Sequence, residues 1–451
     1  MFPKDFIWGV GTSDYQIEGA HFQDGRGVST FDEFTSYPGH IFENNNTIIA
    51  LDHYNRYEED FKLLAELGVK SYRFSFNWTR IMPEGIGRVE MRAVEHYRDM
   101  VKCLLSYGIR PLLTPMIWDY PAALYRRGGW LNPESSDWYA EYVRVVAENF
   151  GDLIKDYTTL NEPQMMAGNT FLTGNLAPGI LLPDGDIIRI IHNLLLAHGK
   201  AAKVIREVVP DAKVGTVLCM DGITPVEETP EEIKKAYDYY YKAGKDMDEL
   251  SFGLSWYSDP MFLGKYPEEG LAWAGKYLPE GWEKDMETIC QPLDYVGLNI
   301  YSGVRLMRDE NGNTVPKPKI PGYPANSLSW EIVPECLYWG ARFFVERYHV
   351  PVFISENGFA AHDFIFLDGK VHDPARIDYT HRHLLGVKRA VEEGILLTGY
   401  YHWSLLDNFE WAKGFMERFG LIYVDHTDLK RIPKDSYYWY QEVIKTNGAD
   451  L

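Results

Sequence analysis

A chain of 451 residues with 45% hydrophobic and 24% charged side chains has the composition of a folded globular protein with a sizeable core, which excludes a disordered or fibrous polymer. Its formal charge of −20 argues against nucleic acid and anionic membrane surfaces as partners, because both attract clustered Lys and Arg. No basic and apolar leader opens MFPKDFIWGV, and no segment offers roughly 18 uninterrupted apolar residues, so a soluble cytoplasmic protein is the expectation.

In chain order, short β-rich runs alternate with longer amphipathic ones. FIWGV precedes the helical pattern YNRYEEDFKLLAELG, SYRFSF precedes AVEHYRDMVKCLLSYG, IRPLLTP precedes SDWYAEYVRVVAENFG, and YTTLN precedes IIRIIHNLLLAHGKAAKVIREV. After the fifth run, KVGTVL, comes helical and aromatic material between about Pro225 and Pro292, read as an insertion over one barrel face and not as a second domain. DYVGLNIY then leads into NGNTVPKPKIPGYPANS, which reads as a long surface loop, and into the helical ECLYWGARFFVERY. VFISEN is followed by DYTHRHLLGVKRAVEEG, and GYYHWS is the eighth strand. Eight strands interleaved with helices predict an α/β fold, one (β/α)₈ barrel over residues 1–451 with long strand-to-helix loops.

Such a barrel keeps its chemistry at the C-terminal strand ends, and here those ends are polar. YTTLNEP supplies Asn161 and Glu162, GLNIY supplies Asn299 and Tyr301, and ISEN supplies Glu356 ahead of Asn357-Gly358, read as a turn pair. Two carboxyl groups facing one cleft match glycoside hydrolysis, in which one protonates the departing oxygen and the other attacks the anomeric carbon or activates water. The competing reading is two structural, salt-bridged carboxylates. Arg73, in a strand beside Phe74 and Phe76, needs an anion if it is buried, and Glu356 is the expected partner, with Tyr301 as a second.

A metal centre is not expected, because His381 and His383 lie two apart on a helix and face different ways, and the four cysteines, Cys103, Cys219, Cys290 and Cys336, lack metal-ligand spacing and read as free thiols. No cofactor is called for. The sequons at Asn45 and Asn77 are expected to be idle. Aromatic residues make up 15% of the chain, and those of HWSLLDNFEW, interleaved with Asp407, Asn408 and Glu410, are too polar in context for core and fit a sugar, whose apolar C–H faces pack on rings while amides and carboxyls take its hydroxyls.

Together these stretches, with FIWGVGTSDYQIEGA, DHYNRYEEDFKLLAELGVKSYRFSFNWTRI, LNEP, VGLNIY, ISENG and HWSLLDNFEWAKGFMERFGLIYVD, closely resemble glycoside hydrolase family 1, the retaining β-glucosidase and β-galactosidase family, from end to end. The resemblance implies Glu162 as general acid/base and Glu356 as nucleophile, with carboxyl groups about 5 to 5.5 Å apart. It implies that Arg73 and Tyr301 keep Glu356 ionised, that its charge raises the pKa of Glu162, and that Asn299 supports the acid/base. It also implies that Asn161 binds the 2-hydroxyl, that Gln16, Glu410 and Trp411 hold the outer hydroxyls, that Trp403 lies under the sugar and that Trp330 forms an aromatic wall. Ile117 and Trp118 of MIWDYP complete the implied substrate-binding set. A carboxylate at Glu410 would repel the phosphate of a 6-phosphorylated sugar, which disfavours that branch of the family.

The sequence departs from the family pattern in three places. Ile117 stands where a histidine contacts the 3-hydroxyl, so either that hydroxyl loses its partner, the preferred sugar differs there, or another group compensates. Gln164 replaces a tryptophan beneath the leaving group, and Ser329 replaces a glycine before Trp330. The expected activity is a metal-independent retaining exo-β-glycosidase, most simply a β-glucosidase, acting on a small-molecule or oligosaccharide β-glycoside. An altered sugar preference and transglycosylation are the alternatives within the class, and a non-catalytic sugar-binding protein or a metal-dependent hydrolase are those outside it. A homo-oligomer is compatible with the sequence, which does not set the assembly state.

Overall fold

Short β-rich runs set between amphipathic helical stretches fit strands of a sheet covered on both faces, and a computed structural model of residues 1–451 places all eight in one closed parallel barrel. The strands are Ile7–Gly11, Ser71–Ser75, Arg110–Thr114, Asp156–Asn161, Lys213–Cys219, Tyr295–Asn299, Val352–Asn357 and Leu397–Trp403. Each pairs with its neighbour in the chain, and the first closes on the eighth, with Gly11 opposite Trp403. The second, fourth and seventh strands are buried at every position. The expected α/β barrel is therefore the observed fold.

Helices pack outside because their apolar residues recur on one side. In Met91–Ser106 the buried positions are Ala93, Val94, Tyr97, Met100, Val101 and Leu104, a stripe of helical period turned toward the barrel. The corresponding helices after the other strands include His53–Leu67, Ser135–Phe150, Asp184–Val208, Cys336–Tyr348, Pro374–Glu392 and Asp435–Thr446. Between the fifth and sixth strands run Pro230–Tyr240, Met247–Phe252, Ser255–Leu263, Glu268–Ala274 and Trp282–Ile289. The last of these approaches Asp184–Val208 so closely that a Cβ on Gly199 would lie 1.9 Å from the Thr288 carbonyl oxygen.

Two expectations are corrected. The Pro/Gly-rich run is not all loop: Thr314–Pro316 pairs antiparallel with Gly303–Arg308, around a turn in which Asp309 accepts hydrogen bonds from the Asn311 and Asn313 backbone N–H groups. Asn357 is no turn residue either, because it ends the seventh strand, buried, donating to the Ile300 carbonyl at 2.8 Å and accepting from the Tyr400 hydroxyl at 2.9 Å. Gly358 follows because the chain there presses on the eighth strand, where a Cβ would lie 1.9 Å from the Trp403 carbonyl oxygen. No helix is long and apolar enough to cross a membrane. Asn77 is buried, and the four cysteines form no disulfide.

Candidate active site

At the C-terminal end of the barrel lies a cavity of about 570 Å³. Its lining includes Gln16, Ile117, Trp118, Asn161, Glu162, Tyr301, Trp330, Glu356, Trp403, Glu410 and Trp411, so eleven of the thirteen residues singled out above meet there. Arg73 and Asn299 stand behind this surface, each fully buried.

Barrel register brings the polar strand ends together. Glu356 on the seventh strand lies opposite Asn299 on the sixth, which in turn lies opposite Cys219 on the fifth. The Arg73 guanidinium pairs with Glu356 Oε1 through Nη1, and Tyr301 donates its hydroxyl proton to Glu356 Oε2 at 2.6 Å, so both carboxylate oxygens have a donor. Asn299 donates to Glu162 Oε1 at 2.6 Å and is itself fixed by Ser355, whose hydroxyl donates to Asn299 Oδ1 at 2.6 Å. Asn161 joins the two halves. Its Oδ1 accepts from Arg73 Nη2 at 2.6 Å and from Asn299 Nδ2 at 3.3 Å, and its own Nδ2 has no protein partner.

The two glutamates therefore sit in opposite electrical surroundings. Burial first, and the negative charge of Glu356 second, push the Glu162 carboxyl up to about 8, so it is protonated at neutral pH. Asn299 and Arg73 act the other way. Glu410 is likewise pushed up to about 8, by burial and then by Glu356, and its Oε2 has no protein partner. A neutral Glu410 repels phosphate far less than the charged group expected from sequence, and Lys413 lines the same cavity, so the electrostatic argument against 6-phosphorylated sugars loses most of its force.

Aromatic residues form two walls. Trp118 and Trp411 pack with ring centroids 4.6 Å apart on one side, and Tyr301, Trp330 and Phe419 cluster on the other, with Tyr301 and Trp330 at 5.2 Å, beside the buried Trp403. Glu162, Trp118 and Trp411 all hold left-handed backbone, at φ of 48°, 61° and 45°, a costly conformation for residues with side chains that is kept where surrounding structure enforces it. Gln16 is more committed than expected: Oε1 accepts from Ser13 at 2.6 Å, while Nε2 donates to Asn408 at 3.1 Å and to the Phe409 carbonyl at 2.8 Å. It keeps one acceptor site and no free N–H.

Sequence reading missed several lining residues. Cys219 lies beside Glu162, where burial and that carboxyl hold its thiol well above the usual range. Met165, Phe252 and Lys319 also reach the cavity, the second from a helix of the inserted segment and the third from the Pro/Gly-rich run. Ser355, which stands behind the lining, had a usable signal, a hydroxyl following the apolar run Val352–Ile354 and directly preceding Glu356, whereas Phe252 and Lys319 had none. No group of three or more His, Cys, Asp or Glu side chains is arranged to hold a metal ion.

A family model described as Glycosyl hydrolase family 1 matches residues 1–449. The chain belongs to this family. β-Glucosidase A of Thermotoga maritima is 44% identical over 453 residues, covering 100% of this chain and 99% of the relative, and a 1,4-β-D-glucan glucohydrolase of Thermotoga neapolitana is 43% identical over 451 residues, covering 99% of each. The solved structure of β-glucosidase from Thermotoga maritima in complex with glucoimidazole superposes with a TM-score of 0.90 at 43% identity, covering 99% of both chains.

Within the family 1 framework, the three departures have distinct structural consequences. Ile117 faces the cavity and is packed in an apolar cluster with Phe31, Phe34, Leu176 and Trp411. Gln164 is withdrawn from the cavity, fully buried, with Nε2 donating to the Cys219 carbonyl at 3.0 Å and Oε1 unpartnered. Ser329 adopts φ of 63°, a conformation that glycine takes without steric cost.

Proposed function

We propose that this family 1 glycoside hydrolase removes a single terminal β-linked glucose with retention of configuration, through a covalent glycosyl-enzyme intermediate. The observation that carries the reading is the contrast between the two cavity carboxyls, Glu356 clamped by Arg73 and Tyr301, and Glu162 held protonated. In the first step a Glu356 oxygen attacks the anomeric carbon, the bond to the leaving oxygen breaks, and Glu162 delivers its proton to that oxygen. Esterification of Glu356 removes the charge that raised the pKa of Glu162, so the new Glu162 carboxylate is suited to take a proton from water. The water oxygen then attacks the same carbon, the ester breaks, and Glu356 is regenerated.

The other residues have supporting parts in this reading. Asn161 offers its free Nδ2 to the hydroxyl next to the anomeric carbon, and Asn299 holds Glu162 in position. Gln16, Glu410 and Trp411 meet the outer hydroxyls, Trp403 lies under the ring, and Trp330 flanks the leaving group. A sugar hydroxyl in place of water would give transglycosylation from the same intermediate.

The test uses nitrophenyl β-glycosides of glucose, galactose, fucose, mannose, xylose and 6-phosphoglucose, with Glu356→Gln as blank. Fast glucoside turnover with the β-anomer as first product is expected. An activated 2-deoxy-2-fluoro-glucoside should add its glycosyl mass to the peptide containing Glu356. No turnover on any member of the panel would overturn the assignment.

A further inference from the structure

We infer that Ser355 is a positioning residue for the acid/base: by anchoring the Asn299 amide, it keeps the transferable proton of Glu162 on Oε2, the oxygen open to the cavity. This rests on the function proposed above and deepens it. Arg73 is the fixed point, because a guanidinium only donates. Its Nη2 donates to Asn161 at 2.6 Å, so the Asn161 atom facing it is Oδ1. Asn299 approaches the same Oδ1 at 3.3 Å, where a second oxygen would be repelled, so it presents Nδ2 there, and that Nδ2 also donates to Glu162 Oε1 at 2.6 Å. The Asn299 oxygen is left on the far side, fully buried, and the Ser355 hydroxyl donates to it at 2.6 Å. Without that hydroxyl Asn299 Oδ1 is a buried acceptor with no partner, and it gains one only if the amide turns.

The backbone is shaped to seat this hydroxyl. Against the sixth strand, Ile354 pairs with Leu298 and Glu356 with Asn299, so Ser355 is an extra residue in a bulge, which lets two successive side chains of one strand address the same end of its neighbour. Two residues before Asn299, on the same face of its strand, Gly297 leaves the space: a Cβ there would lie 2.6 Å from Ser355 Oγ.

The consequence is where a proton sits. With Asn299 held as a donor, Glu162 Oε1 only accepts, so the hydrogen of protonated Glu162 is on Oε2. Glu162 is 5% exposed and lines the cavity, and no amide or guanidinium holds Oε2. A proton on Oε2 is ready for the leaving oxygen, whereas one on Oε1 would be bonded to a turned Asn299 and would first have to be released.

Two measurements test this. A joint neutron and X-ray structure of the wild-type enzyme at about pH 6, where Glu162 is protonated, should show the Glu162 deuterium on Oε2 and the Ser355 deuterium directed at Asn299 Oδ1. A deuterium on Glu162 Oε1, donated to Asn299, would overturn the inference without any variant. In Ser355→Ala, kcat/KM should fall about tenfold or more for methyl β-glucoside, whose leaving oxygen needs the proton, and by less than about threefold for 2,4-dinitrophenyl β-glucoside, whose leaving group departs as a stable anion. Turnover of the second substrate also shows that the variant is folded. The alkaline limb on methyl β-glucoside should move up, because a loosened Asn299 favours ionised Glu162 less, and Ser355→Thr, which keeps the hydroxyl, should keep the wild-type ratio of the two substrates. An equal loss on both substrates in folded Ser355→Ala, or no loss on either, would overturn the inference while leaving the glucosidase reading intact. No turnover of either glucoside by the wild type would instead remove the function on which the inference rests.

Discussion

Arg73 donates to Asn161 at 2.6 Å while its other terminal nitrogen holds Glu356, so one buried guanidinium sets both the Glu356 carboxylate and the amide beside it. Its charge and its two-pronged shape are both in use, which a lysine could not reproduce.

Arg73→Met should therefore strip Glu356 of its buried counter-charge, at a cost of about 3–5 kcal/mol in unfolding free energy, and abolish glucoside turnover. Denaturant melts alongside initial rates check this. A stable, active Arg73→Met enzyme would contradict the role given to the pair.

Asn161→Ala removes the free amide N–H offered to the sugar and one partner of Arg73. A hydrogen bond involving a charged or developing-charge group contributes about 1.5–3 kcal/mol, so kcat/KM should fall about 10- to 150-fold. The loss should appear mainly in kcat if the contact tightens in the transition state, and mainly in KM if it does not. Steady-state kinetics on the nitrophenyl glucoside distinguish the two.

In the proposed mechanism Glu162 delivers a proton, so the alkaline limb of kcat/KM should fall near pH 8, where that carboxyl ionises. Asn299 stabilises the ionised form of Glu162, so Asn299→Ala should move that limb upward, in addition to slowing the reaction. A pH–rate profile in which the limb stays in place or moves down would disconnect Asn299 from the acid/base.

Stability should also respond to pH. Glu162 and Glu410 both have folded-state pKa values raised from the ordinary 4.5 to about 8, so between these limits the folded state binds more protons than the unfolded one. Stability contributed by these groups is full below the lower value and declines as pH rises toward the upper. Thermal midpoints measured across about pH 5 to 8 should show a shallower decline in Glu410→Gln than in the wild type, because glutamine cannot ionise.

Ser329 at φ of 63° is strained, and Ser329→Gly should raise the unfolding free energy by about 0.5–1 kcal/mol despite the larger entropy of glycine in the unfolded chain. Urea midpoints test the sign. The neighbouring Trp330 should keep its place, so glucoside KM should be little changed.

The eight strands and the helices between them were legible because their signal is local: β-rich runs and helical stripes reflect burial of nearby side chains, and the 16 residues of Met91–Ser106 or the 6 of Val352–Asn357 can each be recognised from their own pattern. Glu162 and Glu356 were legible as carboxylates at strand ends, and their meeting followed from barrel closure. The sequence by itself thus determined the barrel, its family and the two carboxyls at its mouth. Only the tertiary structure decided that Gln16 has no N–H left to give, that Gln164 turns away from the cavity, that Glu410 is neutral near pH 7, and that Asn161 links Arg73 to Asn299. Those properties depend on which groups lie within about 3 Å across strands far apart in the chain, and on how completely water is removed around them, and neither is written in the order of neighbouring residues.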